Sequence, residues 1–153
     1  MAFTLTSTAF KEGGRIPKGH TCDGPDRSPP LAWSGAPTGT KSFALVCDDP
    51  DAPAGTWYHW AIYDIPATEH GLPEGYPSSG KGAVRQAVND FRRVGYGGPC
   101  PPRGHGTHHY RFTLYALKTD KLAVAGQAQC RDVARTAAAQ ALAQVTLTGV
   151  YSR

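Results

Sequence analysis

Long apolar runs are missing from this sequence. No stretch approaches the roughly 20 consecutive apolar residues that a membrane-spanning helix needs, so no integral membrane segment is expected. The opening residues Met1-Ala2-Phe3-Thr4-Leu5-Thr6 lack the basic stretch and continuous apolar run of a secretion signal. A cytoplasmic location is the resulting expectation. Charge is also scarce. Asp, Glu, Lys and Arg make up 18% of the chain, with 40% hydrophobic residues, a balance that argues against disorder. The net charge of +4 comes from scattered basic residues, and the longest basic run is Arg92-Arg93. Such scatter reads as a solvated surface, so no nucleic acid partner is expected. The four cysteines, Cys22, Cys47, Cys100 and Cys130, include no C-x-x-C pair. That spacing argues against a zinc knuckle or a thioredoxin-like motif, and free thiols are expected in a reducing compartment. A G-x-S-x-G nucleophile elbow is absent as well, and Ser34, Ser78 and Ser79 read as turn residues.

What the chain has in abundance is turn chemistry. Its 153 residues include 18 Gly and 13 Pro, together about a fifth of the chain. The length suits one domain over 1–153, able to bury roughly 70% of its unfolded surface. Strands are predicted at 3–10, 31–33, 42–48, 57–65 and 108–118, with a weak one at 83–90 and a closing one at 146–151. The segments 42–48 and 57–65 are apolar on both faces, which marks them as central. An alanine-rich helix is predicted over 131–145, with Val133, Ala137, Ala141, Leu142 and Val145 on one stripe. Many strands, one late helix and Pro/Gly-rich loops indicate an all-β fold with a minor helix, a β-sandwich of two sheets.

The chemistry gathers at strand ends. Period-2 geometry puts Trp57 and His59 on one face, with Tyr58 and Trp60 on the other. On the later strand His108 and Tyr110 share a face with Phe112 and Leu114, while His109 and Arg111 point away. Pro50 favours extended backbone at Asp49, and an extended Asp51 then projects to the same side. Neighbouring strands would gather Asp49, Asp51, Trp57, His59, His108 and Tyr110 into one pocket. Imidazoles and a phenol can donate to an anion, and glycine backbone in Gly97-Gly98 or Gly104-His105-Gly106 can approach it closely. The carboxylates can hold each imidazole in one tautomer. The alternatives are a plain turn at 48–53, a metal site at His105-x-x-His108-His109, and a reactive thiol at Cys100. Because His108 and His109 face opposite ways, no metal ligands are assigned.

Two motif clusters carry a resemblance. The first is Asp49-Pro50-Asp51-Ala52-Pro53 followed by Trp57-Tyr58-His59-Trp60. The second is Gly95-Tyr96-Gly97-Gly98-Pro99-Cys100-Pro101-Pro102, then Gly104-His105-Gly106 and His108-His109-Tyr110. With Ser28-Pro29-Pro30-Leu31-Ala32-Trp33 they resemble the phosphatidylethanolamine-binding protein family, in its bacterial Raf kinase inhibitor-like branch, nearly end to end. The resemblance implies a Greek-key sandwich with a C-terminal α-helix. It also implies a small pocket for a phosphorylated or otherwise anionic ligand, with no catalytic residue and no cofactor assigned. Its expected lining is Asp49, Asp51, Pro53, Trp57, His59, Gly98, Pro101, His108 and Tyr110, with His59 and His108 on the anion. Regulation of a kinase or protease, and hydrolysis with a pocket histidine as base, are the alternative readings. Exposed edge strands make a homodimer an option.

Overall fold

The computed structural model describes residues 2–153. In chain order it contains β1 (Thr4–Thr6), β2 (Leu31–Ser34), β3 (Ser42–Asp49), β4 (Trp57–Pro66), β5 (Gly71–Leu72) and β6 (Arg85–Gln86). β7 (His108–Leu117), the helix α1 (Cys130–Gln140) and β8 (Ala141–Tyr151) complete it. The strands form two antiparallel sheets, ordered β1-β2-β5 and β6-β4-β3-β7-β8. Within the larger sheet, β7-β3-β4-β6 is a Greek-key order, the fourth strand returning to lie beside the first.

The double-sided apolar pattern of β3 has a clear cause. Phe43, Leu45 and Cys47 face the smaller sheet, packing with Trp33, Trp60, Ile62 and Phe112. Ala44 and Val46 face the other way, under α1, with Ala61, Tyr63, Val133 and Ala137. β3 therefore lies between a sheet and a helix, and a polar residue on either face would be buried without water. Burying a side chain such as Phe43 or Leu45 is worth about 1.5–3 kcal/mol.

Three expectations change in the folded chain. The helix stops at Gln140, and β8 begins at once. Propensity favours helix through the alanines, but β8 pairs with β7 from Ala141 opposite Leu117 to Tyr151 opposite His108. That ladder, with Leu147 and Tyr151 buried inward, outweighs the small helical preference of Ala141 and Ala143. At the N-terminus only Thr4–Thr6 is strand. The chain then turns, and residues 13–16 hydrogen-bond along the outer edge of β8 through Gly13, Gly14 and Ile16. Over 83–90, only Arg85–Gln86 pairs as a strand, against Tyr63 and Ile62.

The cysteines are not all free. Cys22 and Cys100 form a disulfide across 78 residues of sequence, while Cys47 and Cys130 are free and buried. The loops that carry the pair are also held by backbone and side chains. Cys22 N–H donates to the Pro99 carbonyl (3.1 Å), and the Tyr96 hydroxyl donates to the His20 carbonyl (2.6 Å). Gly98 N–H donates to Asp26 Oδ1 (2.9 Å). No spacing rule could have paired two cysteines this far apart.

Candidate functional site

A cavity of about 190 Å³ opens where β3, β4 and β7 end together. Asp49, Pro53, Trp57, His59, Pro101, His108 and Tyr110 line it, as do Ala52, Phe91, Cys100 and Pro102. The two motif clusters, about fifty residues apart, thus form opposite walls of one site because β3 pairs with both β4 and β7.

A β-bulge aims His59. Cys47 pairs with Trp60 and Asp48 with Tyr58, so His59 is the extra residue on β4. The strict alternation expected for Trp57 to Trp60 fails here. Tyr58 packs on the helix side, whereas Trp60 joins the core between the sheets. The His59 ring stands edge-on to Phe91 and to Tyr110. Its Nδ1 donates to the Gly97 carbonyl (2.6 Å), and Gly97 N–H returns a bond to the His59 carbonyl (3.0 Å). A carbonyl only accepts, so the proton sits on Nδ1. Burial holds the imidazole below its usual pKa, against the raising influence of the Gly97 carbonyl and of Asp49. A neutral His59 then has a lone pair at Nε2.

Asp49 anchors the opposite wall. It is buried, and its Oδ1 accepts from Asp51 N–H (2.7 Å) while Oδ2 accepts from His108 Nδ1 (2.6 Å). The Nε2 of His108 is taken as well, by a 2.6 Å hydrogen bond with Nδ1 of the exposed His105. His105 lies outside the cavity lining and closes an Asp49–His108–His105 chain. Tyr110 is fully buried, and burial together with the Asp49 carboxylate pushes its phenol pKa well up, so the hydroxyl keeps its proton.

Among the described residues, three buried side-chain polar atoms have no hydrogen-bond partner: Trp57 Nε1, Tyr110 Oη and Thr119 Oγ1. Two of these three belong to residues lining this one cavity. Buried donors are nearly always paired, and each exception calls for a cause.

Two expected lining residues lie outside the cavity wall. The Asp51 carboxylate turns outward and accepts from both His109 N–H (2.8 Å) and His109 Nδ1 (2.7 Å). These bonds with His109 lower its pKa and pin the 50–53 turn to β7. Gly98 backs the wall, and a side chain there would collide with the His20 carbonyl and Asp26 Oδ1. Conversely, Phe91 joins the wall without a sequence signal of its own. Asn89 places it by accepting from Phe91 N–H (2.9 Å) and Arg93 N–H (3.2 Å) and donating to the Gly95 carbonyl (2.9 Å). An Asn followed by Asp-Phe was the only hint of that turn. Among the described residues, no group of three or more His, Cys, Asp or Glu side chains is arranged to hold a metal ion.

The sequence profile of the family described as phosphatidylethanolamine-binding protein matches residues 6–152. The chain belongs to that family. A UPF0098 protein of Aquifex aeolicus is 49% identical over 148 residues, covering 96% of this chain and 86% of the relative. The Escherichia coli protein YbcL is 43% identical over 161 residues, covering 98% and 87%. The crystal structure of YbcL, described as a new member of the mammalian PEBP family, superposes with a TM-score of 0.94 at 39% identity and covers 100% of this chain and 99% of that one. The homolog CT736 from Chlamydia trachomatis gives a TM-score of 0.87 at 33% identity, covering 99% and 98%. As a family member the chain has the two-sheet fold that the motifs implied, and among the described residues no helix is long and apolar enough to cross a membrane.

Proposed function

We propose that this family member binds a small phosphate-bearing or similarly anionic ligand in the cavity between the two motif clusters. The observation that carries the reading is the pair of unpartnered buried donors, Trp57 N–H and Tyr110 O–H, on the wall of a cavity about 190 Å³ in volume. Each would cost roughly 1–3 kcal/mol if it stayed unsatisfied, and a ligand with acceptor oxygens removes that cost. The cavity suits a head group or a small phosphate ester rather than a long chain. The family's name points to the same class of ligand. The Cys22–Cys100 disulfide, whose Cys100 lines the cavity, favours an oxidising compartment over the cytoplasm that the N-terminal residues suggested.

The test is an NMR titration of the imidazole signals with phosphoethanolamine, assigned with His59→Ala and His108→Ala. Joint, saturable shifts of His59 and His108 support the reading. Signals that stay still in a folded protein, across millimolar ligand, reject it.

A further inference from the structure

Successive side chains of a strand face opposite ways, so the strand ends that line the first cavity also present residues to the other face of the sheet. Asp49, His59 and Tyr110 face the first cavity, whereas Asp48, Tyr58 and Arg111 lie on the side of α1. The helix crosses that side diagonally. Near β6, Cys130 N–H donates to the Val88 carbonyl (3.0 Å), and beyond the end of β7 Lys118 N–H donates to the Gln140 carbonyl (3.1 Å). This course leaves the corner beside Tyr58 open, and a second cavity of about 590 Å³ lies there. Tyr58 and Tyr115 line it from the sheet, Thr56 from the loop before β4, and Arg131, Ala134 and Arg135 from α1. It shares no lining residue with the first cavity.

The carboxylates around this second cavity are already engaged. Both oxygens of Asp48 accept from Arg111, at 2.8 and 3.1 Å. Asp90 Oδ2 accepts from Tyr58 N–H (2.8 Å) and lies 4.0 Å from the Arg131 guanidinium, beyond hydrogen-bond distance. Asp132, on α1 itself, turns to the start of the helix and accepts from Gln129 N–H (3.4 Å). The Arg131 guanidinium stands 5.9 Å from the centre of the Tyr58 ring, and the exposed Arg135 follows one turn later. With Arg111 cancelling Asp48 and Asp90 set against Arg131, Arg135 leaves the corner with a surplus positive charge. Burial and the Asp48 carboxylate raise the pKa of both phenols, so the Tyr58 and Tyr115 hydroxyls keep their protons and can donate.

We propose that this second cavity binds a compact ligand carrying two linked oxyanion groups, phosphate or carboxylate, one on the guanidinium of Arg131 and one on that of Arg135. A planar guanidinium holds such a group through two parallel N–H bonds, which a lysine cannot reproduce. Residues four apart on a helix have Cβ atoms about 5–6 Å apart, a separation that two groups on one small molecule span. The small side chain of Ala134 leaves room between helix and sheet. The hydroxyls of Thr56, Tyr58 and Tyr115 supply neutral donors on the facing walls. The volume falls within the roughly 300–1,000 Å³ of small-molecule sites. None of this depends on what the first cavity binds.

The experiment is an amide NMR titration of the full chain, disulfide intact, with pyrophosphate, citrate and inorganic phosphate as probes. The expected result is saturable shifts at residues 56–58, 115 and 131–135 with pyrophosphate or citrate, and binding of inorganic phosphate there at least about tenfold weaker. A response to pyrophosphate alone identifies a phosphate-bearing ligand, and a response to citrate alone a carboxylate-bearing one. Arg131→Ala and Arg135→Ala should each weaken binding about fivefold or more. Both side chains are exposed, so the variants keep the fold. The imidazole signals of His59 and His108 report the first cavity separately, so a probe that binds only there is recognised. The proposal is overturned if neither pyrophosphate nor citrate shifts the second set of amides. It is overturned equally if the arginine variants bind as tightly as the unmodified chain, or if inorganic phosphate matches the two-group probes.

Discussion

At the residue scale, Tyr110 separates stability from binding. Its hydroxyl is buried without a partner, so removing it breaks no hydrogen bond in the free protein. Tyr110→Phe should leave the urea midpoint unchanged or raise stability by up to about 1 kcal/mol. The same change should weaken phosphate binding roughly five- to tenfold, because the ligand loses a donor. A drop in stability with no change in affinity would show that the hydroxyl serves the fold alone. Asp49 is the opposite case. It accepts from His108 and Asp51 while buried, and Asp49→Asn replaces one acceptor oxygen with a donor. We expect a loss of about 2–4 kcal/mol in chemical denaturation, larger than for any exposed carboxylate in the chain.

Elements, rather than single side chains, shape the cavity wall. The turn that carries Phe91 depends on three hydrogen bonds from the buried Asn89. Asn89→Ala should cost roughly 2–3 kcal/mol and broaden the backbone amide signals of 90–95, with β3 and β7 little affected. The wall bearing Cys100 is tied to the N-terminal loop. A disulfide closing a loop of this length is worth about 4 kcal/mol in the chain-entropy account. Reduction should lower the urea midpoint accordingly but leave the fold intact, since Tyr96, Asp26 and Arg153, which donates to both Asp23 (3.0 Å) and the Pro101 carbonyl (2.9 Å), still hold the two loops. Equal midpoints with and without reductant would show that the bond adds nothing to the folded chain.

Across the whole molecule, pH acts through groups whose pKa values differ between the folded and unfolded chain. Burial lowers the pKa of His59 on folding. The unfolded chain then binds more protons, so stability is full above the unfolded value of ~6.5 and declines as pH falls towards the folded value. Asp51 is lowered by His109, and Asp23 by the Tyr151 hydroxyl and Arg153. Their contributions are present above ~3.9 and are lost as pH falls through the folded values. Asp26 opposes them, since burial raises its pKa and makes its charged form unfavourable in the fold. Urea stability should therefore step down first below about pH 6.5 and again below about pH 4. His59→Gln should remove the first step and keep the second. If the first step persists in that variant, another group is responsible for it.

Much of this architecture was legible because it rests on local pattern. The apolar runs of β3 and β4 read as central strands, since only buried strands tolerate hydrophobic side chains on both faces. The alternation of His108, Tyr110, Phe112 and Leu114 placed both polar residues on the inward face of β7, where the fold keeps them. The two motif clusters identified the family and most of the cavity wall. What escaped depended on contacts distant in sequence. The helix-to-strand switch at Ala141 follows from the free edge of β7, which a window of alanines does not contain. The bulge at His59 appears only when β3 and β4 are paired, and the Cys22–Cys100 bond only when their loops meet. Most consequential is the state of the histidines. The residue type allows either ring nitrogen to donate or accept, and the choice is made by the Gly97 carbonyl, by Asp49 and by His105, which the folded chain brings within hydrogen-bond distance.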